Sequence, residues 1–250
     1  MNKKYLYINI FLTSLIFSNP GLKIAKQIEN RAQPKDMKSI LEMNLINKKG
    51  KQRKSSLKSF VKDGGKKQIA WFLSPADDKG IGYLKIEHDE KDDEMRIYLP
   101  AFKKVRRISS KKKSDSFMGS DLSYEDMSNR DINENIYNLL GDEIINDQDY
   151  YILEIKPKKS TNSEYSKHIA WINKSNILPF KEDSYDKSDK LLKQKYFHFT
   201  KINNYYVIDT MKVFNVQKNH NTVLTFKDIK INSNINDDIF QEKNLKRLIN

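Results

Sequence analysis

Apolar and polar residues alternate from Met37 onward: Met37, Leu41, Met43 and Leu45 share one face, and Lys38, Glu42 and Asn44 share the other. This period of two is the signature of a half-buried strand. The same alternation returns at short intervals, separated by turn residues. Gly50 lies between the first two strands, and Gly64-Gly65 joins "SLKSFVKD" to "KKQIAWFL" in the manner of a hairpin. Further strands are predicted at 81–88, 94–100, 103–109, 149–156, 166–173, 178–186, 190–199, 205–214 and 222–231, with Asn203-Asn204 and Asn219 to Asn221 marking turns. Roughly a dozen strands with little room for crossover helices imply a mainly β chain with one antiparallel sheet, strongly twisted or curled into a partial barrel.

Helical spacing is confined to three places. Leu22, Ile24, Ala25 and Ile28 predict a short amphipathic helix that Pro34 stops. Residues 114–142, including "SDLSYEDM" and "NRDINENIYNLLGD", replace alternation with helix-like grouping; Ser123 and Asp126 have capping spacing, and Gly141 is a plausible stop. A last short helix is predicted from Asp237 to Leu245, after Asn236. No linker interrupts the pattern, so residues 22–250 read as a single domain.

The first residues read as an export signal ending at residue 21. Lys3 and Lys4 precede a 12-residue apolar run, Leu6 to Phe17, which Ser18-Asn19-Pro20-Gly21 breaks. Twelve residues are too few to span a bilayer comfortably. A periplasmic protein is expected, the alternative being a chain anchored by an uncleaved N-terminal segment.

Composition narrows the chemistry. With 13 Tyr and 12 Phe among 250 residues the chain can bury a core despite being 32% charged. The formal charge is +13, but the lysines are scattered rather than gathered on an aromatic-lined surface, which excludes nucleic acid as the expected partner. Zero Cys excludes disulfides, a thiolate metal site, a cysteine nucleophile and a cysteine-borne lipid anchor. His88, His168, His198 and His220 show no metal-binding spacing, and "EHDEKDDE" lacks the order and the glycine of a calcium loop. Nucleophile and phosphate-loop signatures are missing too; "KGIGYL" reads as a strand entry whose glycines permit a bulge or a close approach. No enzyme activity, metal or cofactor is expected.

The densest charge lies between Lys103 and Lys113, seven Lys or Arg within "YLPAFKKVRRISSKKKSDSFMGSDLSYEDM" (98–127). Pro100 forbids a central ladder donor, so the run belongs at a rim or edge, where charge also discourages pairing between molecules. The stretch carries a resemblance as well. "SPADDKGIGYL" (74–84), "IYLPAFKKVRRI" (97–108), "SFMGSDLSYEDM" (116–127), "LPFKEDSYD" (178–186) and "DDIFQEKNLKR" (237–247) together resemble the outer membrane lipoprotein-sorting protein family, the LolA-like group.

That resemblance implies a fold like LolA and LolB: a half barrel of about eleven curled antiparallel strands, its concave face covered by short helices. It also implies a non-catalytic periplasmic carrier that takes lipid or lipoprotein acyl chains between sheet and helices. Ile69, Trp71, Leu73, Met95, Ile97, Leu99, Phe117 and Met118 are then the expected cavity lining. Lys103, Lys104, Arg106, Arg107, Gly119, Asp121, Tyr124 and Glu125, together with Phe117 and Met118, form the family-like signature, expected as a rim and lid hinge. An inner-membrane exporter is a further expected partner. The rival reading is an interaction module that docks its basic rim on such an exporter or on an anionic membrane surface.

Overall fold

The computed structural model describes residues 19–88, 91 and 93–248. Thirteen strands form one antiparallel sheet: β1 (Asp36–Ile46), β2 (Gln52–Lys62), β3 (Lys67–Ser74), β4 (Gly82–Ile86), β5 (Glu94–Leu99), β6 (Lys104–Arg107), β7 (Asn135–Ile145), β8 (Gln148–Pro157), β9 (Tyr165–Asn173), β10 (Pro179–Asp186), β11 (Leu191–Ile202), β12 (Tyr205–Asn215) and β13 (His220–Ile231). The order across the sheet is β6-β5-β4-β3-β2-β1-β13-β12-β11-β10-β9-β8-β7. Each neighbouring pair except β1–β13 is adjacent in sequence, so local turns build two meanders that a single long-range pairing joins. The edges β6 and β7 are unpaired with each other, and residues 108–134, here called the strap, carry the chain from one edge to the other.

The strap also shows that the sheet curls. Lys85 on β4 donates to the carbonyl of Met127 at 2.8 Å, while Lys195 on β11 donates to the side chain of the preceding residue, Asp126, at 2.5 Å. Six inter-strand steps separate β4 from β11, about 29 Å in a flat sheet. Two lysines can meet adjacent residues across that span only if the sheet wraps around the strap.

The face under the strap is therefore concave. It is filled by the strap over β1–β5 and β11–β13, and by α1 (Pro20–Glu29), the single α-helix among the described residues, over β7–β9. Asn19 caps α1 by accepting from Leu22 N–H at 3.0 Å, and Ile24 and Ala25 pack on Tyr137, Leu153, Ile155, Ala170 and Ile172. A Cβ on Gly21 would lie 2.7 Å from the carbonyl oxygen of Tyr137, so only glycine lets α1 approach β7 this closely. Residues 1–18 of the expected signal lie outside the described residues; Pro20 and Gly21, its last two positions, lie in the first turn of α1.

The convex face is covered on one side by the C-terminal segment. Ile235, Phe240 and Leu245 pack on Phe60, Ile69, Trp71 and Leu84, and Trp71 Nε1 donates to the Asn244 carbonyl at 3.0 Å. The segment crosses β4 at Gly82, where a Cβ would meet the Leu245 carbonyl oxygen at 2.5 Å, the close approach expected of "KGIGYL". Strands β2 to β5 are thus covered on both faces.

Three expectations need correction. The expected helical piece at "NRDINENIYNLLGD" is largely strand β7, preceded by one 3-10 turn at Ile132–Glu134. Its alternation breaks because a register shift between Leu139 and Gly141 moves the later residues by one, and Gly141, at φ 148, belongs to that bulge rather than to a helix end. The last helix is two 3-10 turns, Asp237–Ile239 and Glu242–Lys246, and they lie on the convex face. The concave face is accordingly covered by one α-helix and an irregular strap rather than by several short helices.

Candidate functional site

The apolar half of the concave face is floored by Leu41, Met43, Leu45, Leu57, Phe72, Tyr83, Met95, Ile97, Val213 and Leu224, all buried. Residues 113–125 of the strap form a small hairpin above it. Phe117 N–H donates to the Leu122 carbonyl at 2.7 Å, Tyr124 N–H to Asp115 at 3.1 Å, and Glu125 N–H to Lys113 at 2.8 Å. Its tip turns through Met118 (φ 51) and Gly119 (φ 79), two successive left-handed residues of which the second is glycine. The hairpin drives Phe117, Leu122 and Tyr124 into the floor, with the Phe117 ring 5.1 Å from that of Tyr83. A polar latch holds its tip: Thr222 Oγ1 accepts from Asp121 N–H at 2.9 Å, and the Asp121 carboxylate accepts from Thr222 and from His220 Nδ1, each at 2.7 Å.

The other half of the concave face is charged. Lys193 and Lys195 lie on β11, Glu182 and Ser184 on β10 and His168 on β9, all buried and facing the strap. Asp126 enters this cluster, its side chain 2% exposed, and accepts from Lys193 at 2.8 Å, Lys195 at 2.5 Å and the Tyr165 hydroxyl at 2.8 Å. Its carboxylate also accepts from Ser123 N–H at 2.9 Å while Asp126 N–H donates to Ser123 Oγ, so the expected capping pair exists, within a turn. Arg130 donates to Glu182 at 3.0 Å. Burial alone would raise the Asp126 carboxyl, but Lys195 and Lys193 outweigh it and hold the group well below the usual carboxylate range. Glu182 is depressed in the same way by Arg130 and Lys195 against its burial. His168 is pushed well below the usual histidine range by burial, aided by Arg130, and its Nδ1 pairs with Ser184 Oγ at 2.8 Å. Glu125 is raised by burial, although Ser163 Oγ and Glu164 N–H both donate to it.

The expected site residues divide among these places. Met95, Ile97 and Phe117 are buried together, with Leu99 and Met118 packed at the margin of the same cluster. Ile69 and Trp71 face the opposite side, beneath the C-terminal segment, and half-buried Leu73 belongs to neither cluster. Both faces of β3 are covered, so its apolar run carried no sign of which residues look inward. Tyr124 is core, Gly119 is the hairpin tip, and Asp121 and Glu125 tie the strap to the sheet. Lys103, Lys104, Arg106 and Arg107, expected at a rim, are exposed in the β5–β6 hairpin at the edge of the sheet. The sequence reading missed the cluster of Asp126, Arg130, His168, Glu182, Lys193 and Lys195. The chain gave no decisive signal for it, because Leu192 and Tyr196 offer the opposite face of β11 as the apolar one and leave Lys193 and Lys195 to read as solvated.

Between the hairpin and β11–β12 there is a cleft of about 110 Å³, lined by Ser114, Ser116, Ser120, Ser123, Glu164 and Lys193 among others. At ~30 Å³ per molecule it has room for three or four waters. Among the described residues no cluster of His, Cys, Asp and Glu is suited to a metal ion.

A family model described as an uncharacterized protein-like family matches residues 64–247. The chain is similar to an outer membrane lipoprotein-sorting protein domain from Vibrio parahaemolyticus, with 32% identity, TM-score 0.86, and coverage of 91% of this chain and 99% of that one. A DUF1329 family protein from Desulfovibrio piger is 34% identical at TM-score 0.85, covering 90% of this chain and 98% of that one. A LolA superfamily protein from Nitrosomonas europaea shares the fold, at 21% identity and TM-score 0.70, over 89% of this chain and 98% of that one. Comparison with curated proteins gave no match.

Proposed function

The chain belongs to the LolA-like outer membrane lipoprotein-sorting protein family, and from that premise we propose that it is a non-catalytic periplasmic carrier of lipid or lipoprotein acyl chains, with the strap hairpin as an exchangeable plug. The observation that carries this reading is that the two arms of the hairpin pair their backbone with each other rather than with the sheet. It can leave the concave face as a unit, at the cost of the Asp121 latch, the bonds of Glu125 to Ser163 and Glu164 and the contacts of Phe117, Leu122 and Tyr124, without orphaning a ladder of backbone groups. The magnitudes permit the exchange. Three such side chains contribute about 5–9 kcal/mol by burial, and an acyl chain of about fourteen methylenes returns about 11 kcal/mol. The ionic cluster around Asp126 would stay in place and act as the hinge anchor.

The first test is mass spectrometry of organic extracts from protein purified gently from the periplasm, beside an unrelated exported control. Enriched phospholipid or acyl species, lost on Leu99→Asp and Phe117→Asp, are expected. Because the chain has no native Cys, Asp121→Cys with Thr222→Cys can lock the plug by a disulfide. The oxidised form should take up no fluorescent fatty acid and the reduced form should regain uptake; equal uptake in both states refutes the plug.

A further inference from the structure

The β5–β6 hairpin forms one edge of the sheet. Its tip is a 3-10 turn, Pro100–Phe102, followed by Lys103 in the left-handed region, at φ 50. Phe102 is 60% exposed, and the Arg106 guanidinium lies over its ring at 5.2 Å. No Asp or Glu occurs between Met95 and Ser114. Deeper cations on this edge are neutralised, Arg96 by Glu94 and Glu242 and Lys113 by Asp93. Lys103, Lys104, Arg106 and Arg107 make no ion pair among the described residues.

We propose that this tip docks the protein on an anionic phospholipid bilayer, with Phe102 entering the interface and the four cations meeting head-group phosphates. The arrangement favours a planar anionic partner over an acidic protein. Strand alternation puts Lys104 and Arg106 on one face of the ribbon and Arg107 on the other, with Lys103 at the turn. Cations on both sides of a protruding aromatic suit end-on entry between head groups, whereas a folded partner would read one side. The strap begins at Ile108, directly after β6, so docking would bring the plug to the membrane from which cargo is drawn or to which it is given.

The test is flotation of the purified chain with phosphatidylethanolamine–phosphatidylglycerol vesicles, with phosphatidylcholine vesicles as the neutral comparison. Binding to the anionic vesicles only, weakening with salt, is expected. Each cation near such a surface contributes about five-fold, so Lys104→Glu with Arg106→Glu should weaken binding by at least ~25-fold. Lys201→Glu with Lys230→Glu makes the same charge change at exposed positions on the opposite end of the sheet and should leave binding within about two-fold, as only charges near the surface contribute strongly. An equal loss in this second pair would show that overall charge alone binds and would overturn the proposal. So would absence of vesicle binding by the unaltered chain, including the case where it binds only a membrane protein. Phe102→Trp reports insertion separately: its emission should shift to the blue on anionic vesicles, and an unchanged spectrum with vesicles bound would remove Phe102 from the docking surface.

Discussion

Replacing Asp126 by Asn tests the buried anchor of the strap. The substitution keeps the shape of the side chain and removes the charge that faces two ammonium groups, at 2.8 and 2.5 Å. What remains for Lys193 is Glu164 at 3.6 Å, and for Lys195 it is Glu182 at 3.2 Å, already shared with Arg130. Breaking a buried pair in this way costs about 3–5 kcal/mol, because a charge is left uncompensated away from water. For a domain of this size that is a fall in Tm of about 6–20 °C. Urea denaturation gives the free energy and calorimetry the Tm. The double variant Asp126→Asn with Lys195→Met removes one of the stranded ammoniums, so it should recover part of the loss, and a double-mutant cycle should show strong coupling. If Asp126→Asn costs less than about 1 kcal/mol, or if the two losses simply add, the cluster is not an anchor and the reasoning fails.

Other expectations follow from the same structure. The neutral ring of His168 is favoured by the fold, so stability is complete above the ordinary histidine range near pH 6.5 and declines as the pH drops below it. Asp126 and Glu182, held low, add a steeper loss below about pH 4, while the raised Glu125 acts in the opposite direction as it takes up its proton. His168→Gln should flatten the upper branch of a stability–pH curve measured by urea titration and leave the lower one; an unchanged curve would refute the assignment. Gly82→Ala should cost about 1–3 kcal/mol and shift Trp71 emission to the red as the Leu245 segment is pushed away. Because Asn19 caps α1 and Gly21 contacts β7, any signal cleavage should fall at or before Asn19, and the intact mass of exported protein reads this directly; a chain beginning at Leu22 would contradict it.

Much of the architecture was legible along the chain. Strand periodicity, the glycine and asparagine turns and the short α1 pattern are local properties, because pleating and turn geometry act over two to four residues. They determined nearly all of the strands and the antiparallel meander, and the dispersed motifs determined the family. Strand β7 escaped because its alternation slips at Leu139–Gly141, so apolar residues fall three and four apart and imitate a helix. What only the tertiary structure decided was sidedness and pairing. Ile69 and Trp71 could face either way until the C-terminal segment, some 165–175 positions later, covered them. Lys193 and Lys195 read as solvated lysines until Asp126, 67 and 69 residues earlier, met them on the concave face. A charge can be buried only where its counter-charge is delivered, and that delivery depends on the curl of the whole sheet rather than on any stretch of sequence.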